Sequence, residues 1–178
     1  EFLWKRPSRR PPIELEISRV HYSAWRLFRQ YHYLDTSFNK SARAFVAFLR
    51  DGTPVALQAV IASPHPKYRN LYRGHRAVCM PDYQGVGIGN ALITYVASAY
   101  RGLGNRILST TASPALMASR SHDQRWKLLR NASRAGSQGK NSQTRKTGWV
   151  VSVNRLTTTW EYVGPKMAPD EARRLIYG

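Results

Sequence analysis

The sequence predicts a single α/β domain, and three observations carry that expectation. An apolar run stops at a glycine-rich loop, and a helix-periodic segment follows. Strand and helix patterns occur along the chain in the order β-α-β-β-β-α-β-α-β-β. The 178 residues, 42% of them hydrophobic, suit one domain with a packed interior.

The elements follow in order. Ile13-Glu-Leu-Glu-Ile17 alternates apolar and acidic residues, the pattern of a half-buried first strand. A helix is expected from about Ser18 or His21 to Tyr31, with Tyr22, Trp25, Phe28 and Tyr31 along one stripe. Ala44 to Leu49 and Val55 to Ile61, joined by the turn Arg50-Asp-Gly-Thr-Pro54, read as a hairpin. Ser63 to Asn70 is a loop, and Arg76-Ala-Val-Cys-Met80 is a short strand stopped by Pro81-Asp82. Beyond the glycines, Ile88, Leu92, Tyr95, Val96 and Ala99 fall at offsets 0, 4, 7, 8 and 11, one face of a helix that Gly102 and Gly104 end. Arg106 to Thr111 is a further strand, and Pro114 to Arg120 opens a helix with proline in its first turn. Residues 132–146 lack periodicity and read as a mobile basic loop. Trp149 to Val153 and Thr157 to Val163 read as a terminal antiparallel pair, closed by a short helix from Pro169 to Ile176.

Residues 1–12 form a basic, proline-rich arm or linker ahead of the domain at 13–178. The segment Lys5-Arg-Pro-Ser-Arg-Arg-Pro-Pro12 suits an extended chain, with Arg9 and Arg10 available to phosphates. The chain does not begin with methionine, which suits a domain excised from a longer protein. Neither a membrane-spanning apolar run nor a secretory signal pattern is present. The lone Cys79 agrees with a reducing, cytoplasmic compartment, and reads as a small strand residue rather than a nucleophile.

The loop carries the chemistry. In CMPDYQGVGIGNAL, three glycines two apart separate a strand from a helix start, where backbone amides and the positive dipole end favour an anion. A nucleoside-triphosphate loop needs Gly-Lys-Ser/Thr, which is missing. A dinucleotide site needs G-x-G-x-x-G and an acidic residue about 20 positions on, but no Asp or Glu lies between Asp82 and Asp123.

Gln84-Gly-Val-Gly-Ile-Gly89 resembles the Q/R-x-x-G-x-G/A motif of the GNAT acyltransferase superfamily, and the element order resembles that family's core over nearly all of residues 13–163. The resemblance implies a mixed, mostly antiparallel sheet whose middle strands, holding Val78 and Leu108, splay apart to admit an acyl arm. It implies that Gln84, Gly85, Val86, Gly87, Ile88, Gly89 and Asn90 cradle the pyrophosphate of acetyl-CoA or another acyl-CoA. Val78, Cys79 and Met80 would run beside the pantetheine. Chains resembling this one also occur fused behind ATPase domains.

A thioester is already activated, so the protein must align it, keep the acceptor amine unprotonated, hold the developing oxyanion and help the thiolate leave. The family's tyrosine for the last task is absent from Ala115-Leu-Met-Ala-Ser-Arg120, where Ser119, or else Ser113 or a water, stands in. The family's acceptor side corresponds to Gln30-Tyr-His-Tyr-Leu-Asp35, with His32 and Tyr33 as candidates and Asp35 a weaker one. His32 also shares a stripe with Trp25 and Phe28, as a packed histidine would. Asp123 is a further candidate for holding a base or an amine, although the segment around it also reads as a charged connector. The histidines show no zinc spacing, and no metal is expected.

Charge extends the expectation to partners. Against 10 acidic residues stand 28 Lys and Arg, a formal net charge of +18, and such a field gathers polyanions. Nucleic acid is the expected polyanion, and a solvated basic surface the plain alternative. Arg120, Arg125, Lys127, Arg130, Lys140, Arg145 and Lys146, with Trp126, have the composition that grips a backbone and stacks a base. The combination also resembles phage Mom-type DNA-modifying relatives of the superfamily, which implies an amine on or near nucleic acid as acceptor. A catalytically weak binding or acyl-CoA-sensing module, and an ordinary small-amine acetyltransferase, are the other readings. The expected assembly is a monomer or homodimer.

Overall fold

The computed structural model describes residues 12–32, 37–134 and 156–178. Seven strands form one sheet in the order β1-β2-β3-β4-β5-β7-β6. These are β1 (Glu16–Val20), β2 (Arg43–Phe48), β3 (Pro54–Ala62), β4 (Leu71–Cys79), β5 (Arg106–Thr111), β6 (Trp126–Arg134) and β7 (Leu156–Tyr162). Neighbours run antiparallel except β4 and β5, whose parallel pairing requires the crossover helix α2 (Ile88–Gly102). The helix α1 (Trp25–Phe28), α3 (Pro114–Ser121) and α4 (Pro169–Tyr177) complete the chain. The expected mixed, mostly antiparallel sheet flanked by helices is what the chain forms.

Both faces of the sheet are covered, which explains why β2 and β3 read as nearly continuous apolar runs. Successive side chains on a strand point to opposite faces. Phe45 and Ala47 therefore join the core beneath α2 and α4, with Leu92, Val96, Tyr100, Trp160 and Ile176. Val46, one residue away, joins a second core with Trp25, Phe28, Leu57 and Val78. That second core seats the segment leading to His32.

Several expected boundaries move. The first strand lies at Glu16–Val20 rather than 13–17, and β4 begins at Leu71, five residues before the expected start. The first helix is one α-turn between two 3₁₀ turns, Tyr22–Ala24 and Arg29–Tyr31. Tyr22, Trp25, Phe28 and Tyr31 are three apart, the 3₁₀ repeat, and only Trp25 and Phe28 are buried. The expected connector after α3 is instead β6, so the residues at 132–134 belong to a strand rather than to a loop. β7 pairs with β5 and β6, while residues 135–155, including Trp149 to Val153 and most of the expected basic loop, lie outside the described residues.

Phe28 is fully buried at 0% exposure. Phe28→Ala is expected to cost about 3–5 kcal/mol through lost transfer energy and an unfilled cavity. A urea titration of both proteins checks this as a lower midpoint.

Candidate active site

β4 and β5 part after three residue pairs: Leu71–Arg106, Tyr72–Ile107 and Arg73–Leu108. Beyond that point β4 stays bonded to β3 as far as Cys79, and β5 stays bonded to β7 as far as Thr111. The strands diverge because each follows its own antiparallel partner. A cleft of about 620 Å³ opens between them, and the splay expected from the family resemblance is thus present.

The glycine loop closes the wide end. Met80 N donates to Val55 O at 2.8 Å, Pro81–Tyr83 makes one 3₁₀ turn, and Gln84 Nε2 donates back to Cys79 O at 2.9 Å. Gly85 and Gly87 then take left-handed φ of 78° and 92°, a region that side-chain-bearing residues rarely adopt. A Cβ at either would meet no atom within 4 Å, so the surface beside the loop is open to a ligand. Gly87 caps α2 without a side-chain bond, the first helical bond is Ala91 N to Gly87 O, and no acidic residue occupies the first turn. The amides of that turn and the dipole of a 15-residue helix therefore face the cleft uncompensated, an arrangement suited to phosphate.

Most of the residues expected at the cofactor line this cleft: Val78, Cys79, Gln84, Gly85, Gly87, Ile88, Gly89 and Asn90. Two side chains do not. Met80 packs against the second core, because strand alternation turns it there, and Val86 points to solvent at 42% exposure. Cys79 Sγ donates to Tyr83 O at 3.3 Å, and burial pushes its thiol pKa up, opposed by the Gly89 amide. The thiol stays protonated, in keeping with its reading as a small strand residue.

α3 supplies the opposite wall. Ser113 caps it by accepting from Leu116 N at 3.4 Å, with Pro114 in the first turn. Ser119 lines the cleft, and its Oγ accepts from Asn90 Nδ2 at 3.1 Å, linking α3 to α2. The serine hydrogen remains available for donation into the cleft.

Two histidines line the same cleft. His32 follows the second 3₁₀ turn, edge-on to Trp25 with ring centroids 5.4 Å apart. His75 on β4, which the sequence reading passed over, accepts from Asn39 N through Nε2 at 3.1 Å and packs edge-on against Phe38. Its proton therefore sits on Nδ1. Burial, then Arg76, Arg73 and His32, lower its pKa to about 4. The only signal for it was a histidine between arginine-rich flanks, in a stretch too polar to resemble a strand.

Three other candidates require correction. Asp123 lies in the turn after α3, outside the cleft, where it pairs with Arg125 at 2.8 Å and accepts from Arg125 N. That guanidinium holds its carboxyl below the usual range, so it is neither a base nor an amine ligand. Arg120 is 1% exposed and Trp126 4%, so neither can meet a polymer. The Arg120 guanidinium lies 4.5 Å over the Trp126 ring and donates from Nη2 to Ser109 Oγ at 2.9 Å. Burial brings its pKa down to about 10. Arg125, Lys127 and Arg130 are exposed, whereas Arg9, Arg10, Tyr33, Asp35, Lys140, Arg145 and Lys146 lie outside the described residues.

Solved structures share this fold. An IAA acetyltransferase from Bacillus cereus matches over 84% of this chain and 99% of its own, at 13% identity and TM-score 0.60. The ribosomal-protein-S18-alanine N-acetyltransferase of Escherichia coli matches over 87% and 96%, at 12% identity and TM-score 0.58. The chain has the GNAT fold. An acetyltransferase from Bacillus subtilis in complex with CoA matches over 85% of this chain and 98% of its own, at 10% identity and TM-score 0.58. No protein-family model and no curated protein sequence matches the chain. Among the described residues no helix is long and apolar enough to cross a membrane.

The folded pKa of His75, about 4, lies below the ordinary 6.5, so folding favours the neutral ring. Its stabilising contribution is complete above pH 6.5 and is lost as pH falls through 4. Denaturation between pH 4 and 7 is expected to show His75→Gln with a flatter pH dependence than the parent protein.

Proposed function

We propose that this chain is an acyl-CoA-dependent N-acyltransferase, with acetyl-CoA or another short acyl-CoA as donor. The observation that carries the reading is the union of the parted β4 and β5 with the uncapped start of α2 in one cleft. The loop amides fit a pyrophosphate, and the β4 edge beyond Arg73 has backbone groups to offer the amides of a pantetheine arm.

The residues divide the work as follows. His32 takes the proton that the acceptor amine loses as its nitrogen attacks the thioester carbonyl. An amide bond forms, the C–S bond breaks, and the Ser119 hydroxyl, oriented by Asn90, gives the departing thiolate its proton before regaining one from solvent. His75 is too weak a base near neutrality, and its Nδ1–H serves instead as a donor.

The acceptor is an amine on or near nucleic acid, with DNA base modification as the specific case. The charge of +18 and a cleft with no Asp or Glu among the described residues that line it support an acceptor on a polyanion over a cationic small amine. Arg125, Lys127 and Arg130 remain on the surface for phosphate contact. A second reading, a binding or acyl-CoA-sensing module of low activity, is favoured by the absence of tyrosine from α3.

The test is mass spectrometry of DNA, RNA and small amines after incubation with the protein and labelled acyl-CoA. Nucleosides should gain the acyl mass, and His32→Ala should lower the rate about 10²- to 10⁴-fold while CoA affinity holds. CoA binding without transfer to any acceptor would favour the sensing module, and no CoA binding would refute both.

A further inference from the structure

The cleft narrows where β4 and β5 part, and there its walls change character. Gly74 is the first β4 residue beyond the parallel pairing, and Ser109 the first on β5. A methyl group at Gly74 would lie 3.2 Å from Gln58 Nε2, 3.8 Å from Ser109 Oγ and 3.9 Å from Leu108 O. The missing side chain thus leaves a niche, open to the cleft, between an amide and a hydroxyl.

Both of those groups have a hydrogen to give. Gln58 Nε2 carries two hydrogens, and Ala59 O takes one at 3.1 Å. Ser109 Oγ already accepts from Arg120 Nη2 at 2.9 Å, so its own hydrogen is free to point elsewhere. Behind Ser109 the Arg120 guanidinium is 1% exposed, and its Nε and Nη1 have no hydrogen-bond partner among the described residues. Asp123, the carboxylate whose charge acts on it, is already paired with Arg125. A desolvated cation of this kind favours an anion within reach.

Position identifies what reaches the niche. From Cys79 beside the glycine loop back to Gly74, β4 spans roughly 17 Å at about 3.3 Å per residue. That is about the reach of a pantetheine arm, so the acyl end of a thioester held at the loop arrives at Gly74.

We infer that the acyl group this chain accepts ends in a carboxylate, as in a malonyl or succinyl thioester, seated at Gly74 between Gln58 Nε2 and the Arg120-backed Ser109 hydroxyl. The inference rests on the acyl-CoA reading above. An acetyl methyl in the same place would leave the donors unanswered, whereas a carboxylate accepts from both and offsets the buried charge.

Calorimetry with CoA, acetyl-CoA, malonyl-CoA and succinyl-CoA tests this on the parent protein, Ser109→Ala and Gly74→Ala. At least one carboxylated thioester should bind about tenfold more tightly than acetyl-CoA. That preference should disappear in Gly74→Ala, which fills the niche yet keeps the Ser109–Arg120 bond, and in Ser109→Ala if it folds. Free CoA should bind all folded variants alike. Acetyl-CoA binding as tightly as both carboxylated thioesters would overturn the inference while leaving the acyl-CoA reading standing. Failure of CoA and every thioester to bind would overturn both.

Discussion

The two central strands bond to each other at three positions and then cease. The cleft depends on that interruption. A parallel pair in mid-sheet would ordinarily continue, since unpaired buried backbone is costly. Here β3 holds β4 and β7 holds β5, so the inner edges can separate without either strand losing its sheet. The cores on the two faces keep the outer strands in place, and the gap stays open as a cleft. Solved acetyltransferases of the same fold, one of them with CoA, share the architecture at 10–13% identity. That likeness supports a common geometric solution more strongly than a common chemistry.

The gap also brings together parts of the chain that have little else in common. The start of α2 supplies positive potential without a side-chain cation, α3 supplies a hydroxyl aligned by Asn90, and the segment after α1 supplies an imidazole. The narrow end differs from the rest in being backed, behind Ser109, by a buried guanidinium whose Nε and Nη1 have no hydrogen-bond partner among the described residues. The described lining of the cleft offers no carboxylate to an alkylammonium, so it and the overall charge point in the same direction.

Features with a local cause were legible in the sequence. The glycine loop, the face of α2, the β2–β3 hairpin, β5 and α3 each follow from spacing or turn chemistry within about 15 residues. What could not be read depends on contacts between distant segments. Arg120 and Trp126 look like a solvent-facing cation and a stacking ring, yet α3 packs against β6, so that Arg120 from the helix and Trp126 from the strand bury each other. β6 resembled a charged connector because an outer strand with one covered face carries cations in sequence. His75 escaped notice because it belongs to a β4 segment whose neighbours, Arg73, Gly74 and Arg76, give no apolar alternation. The spacing of three in the first aromatic stripe was visible, but its preference for 3₁₀ over α geometry became apparent only once the outer tyrosines were seen to face water.

β6 ends the sheet among the described residues, and its register with β7 slips twice, between Leu128 and Arg130 and between Arg130 and Ser133. Leu128 and Leu129 are exposed beside Lys127 and Arg130. An outermost strand with greasy side chains is a template for stacking molecule upon molecule, and irregular register together with positive charge is how natural sheets discourage it. Those cations thus guard against fibrous self-association. Neutralising them, by substitution or by a bound polymer, would remove that guard and leave the protein more prone to precipitate.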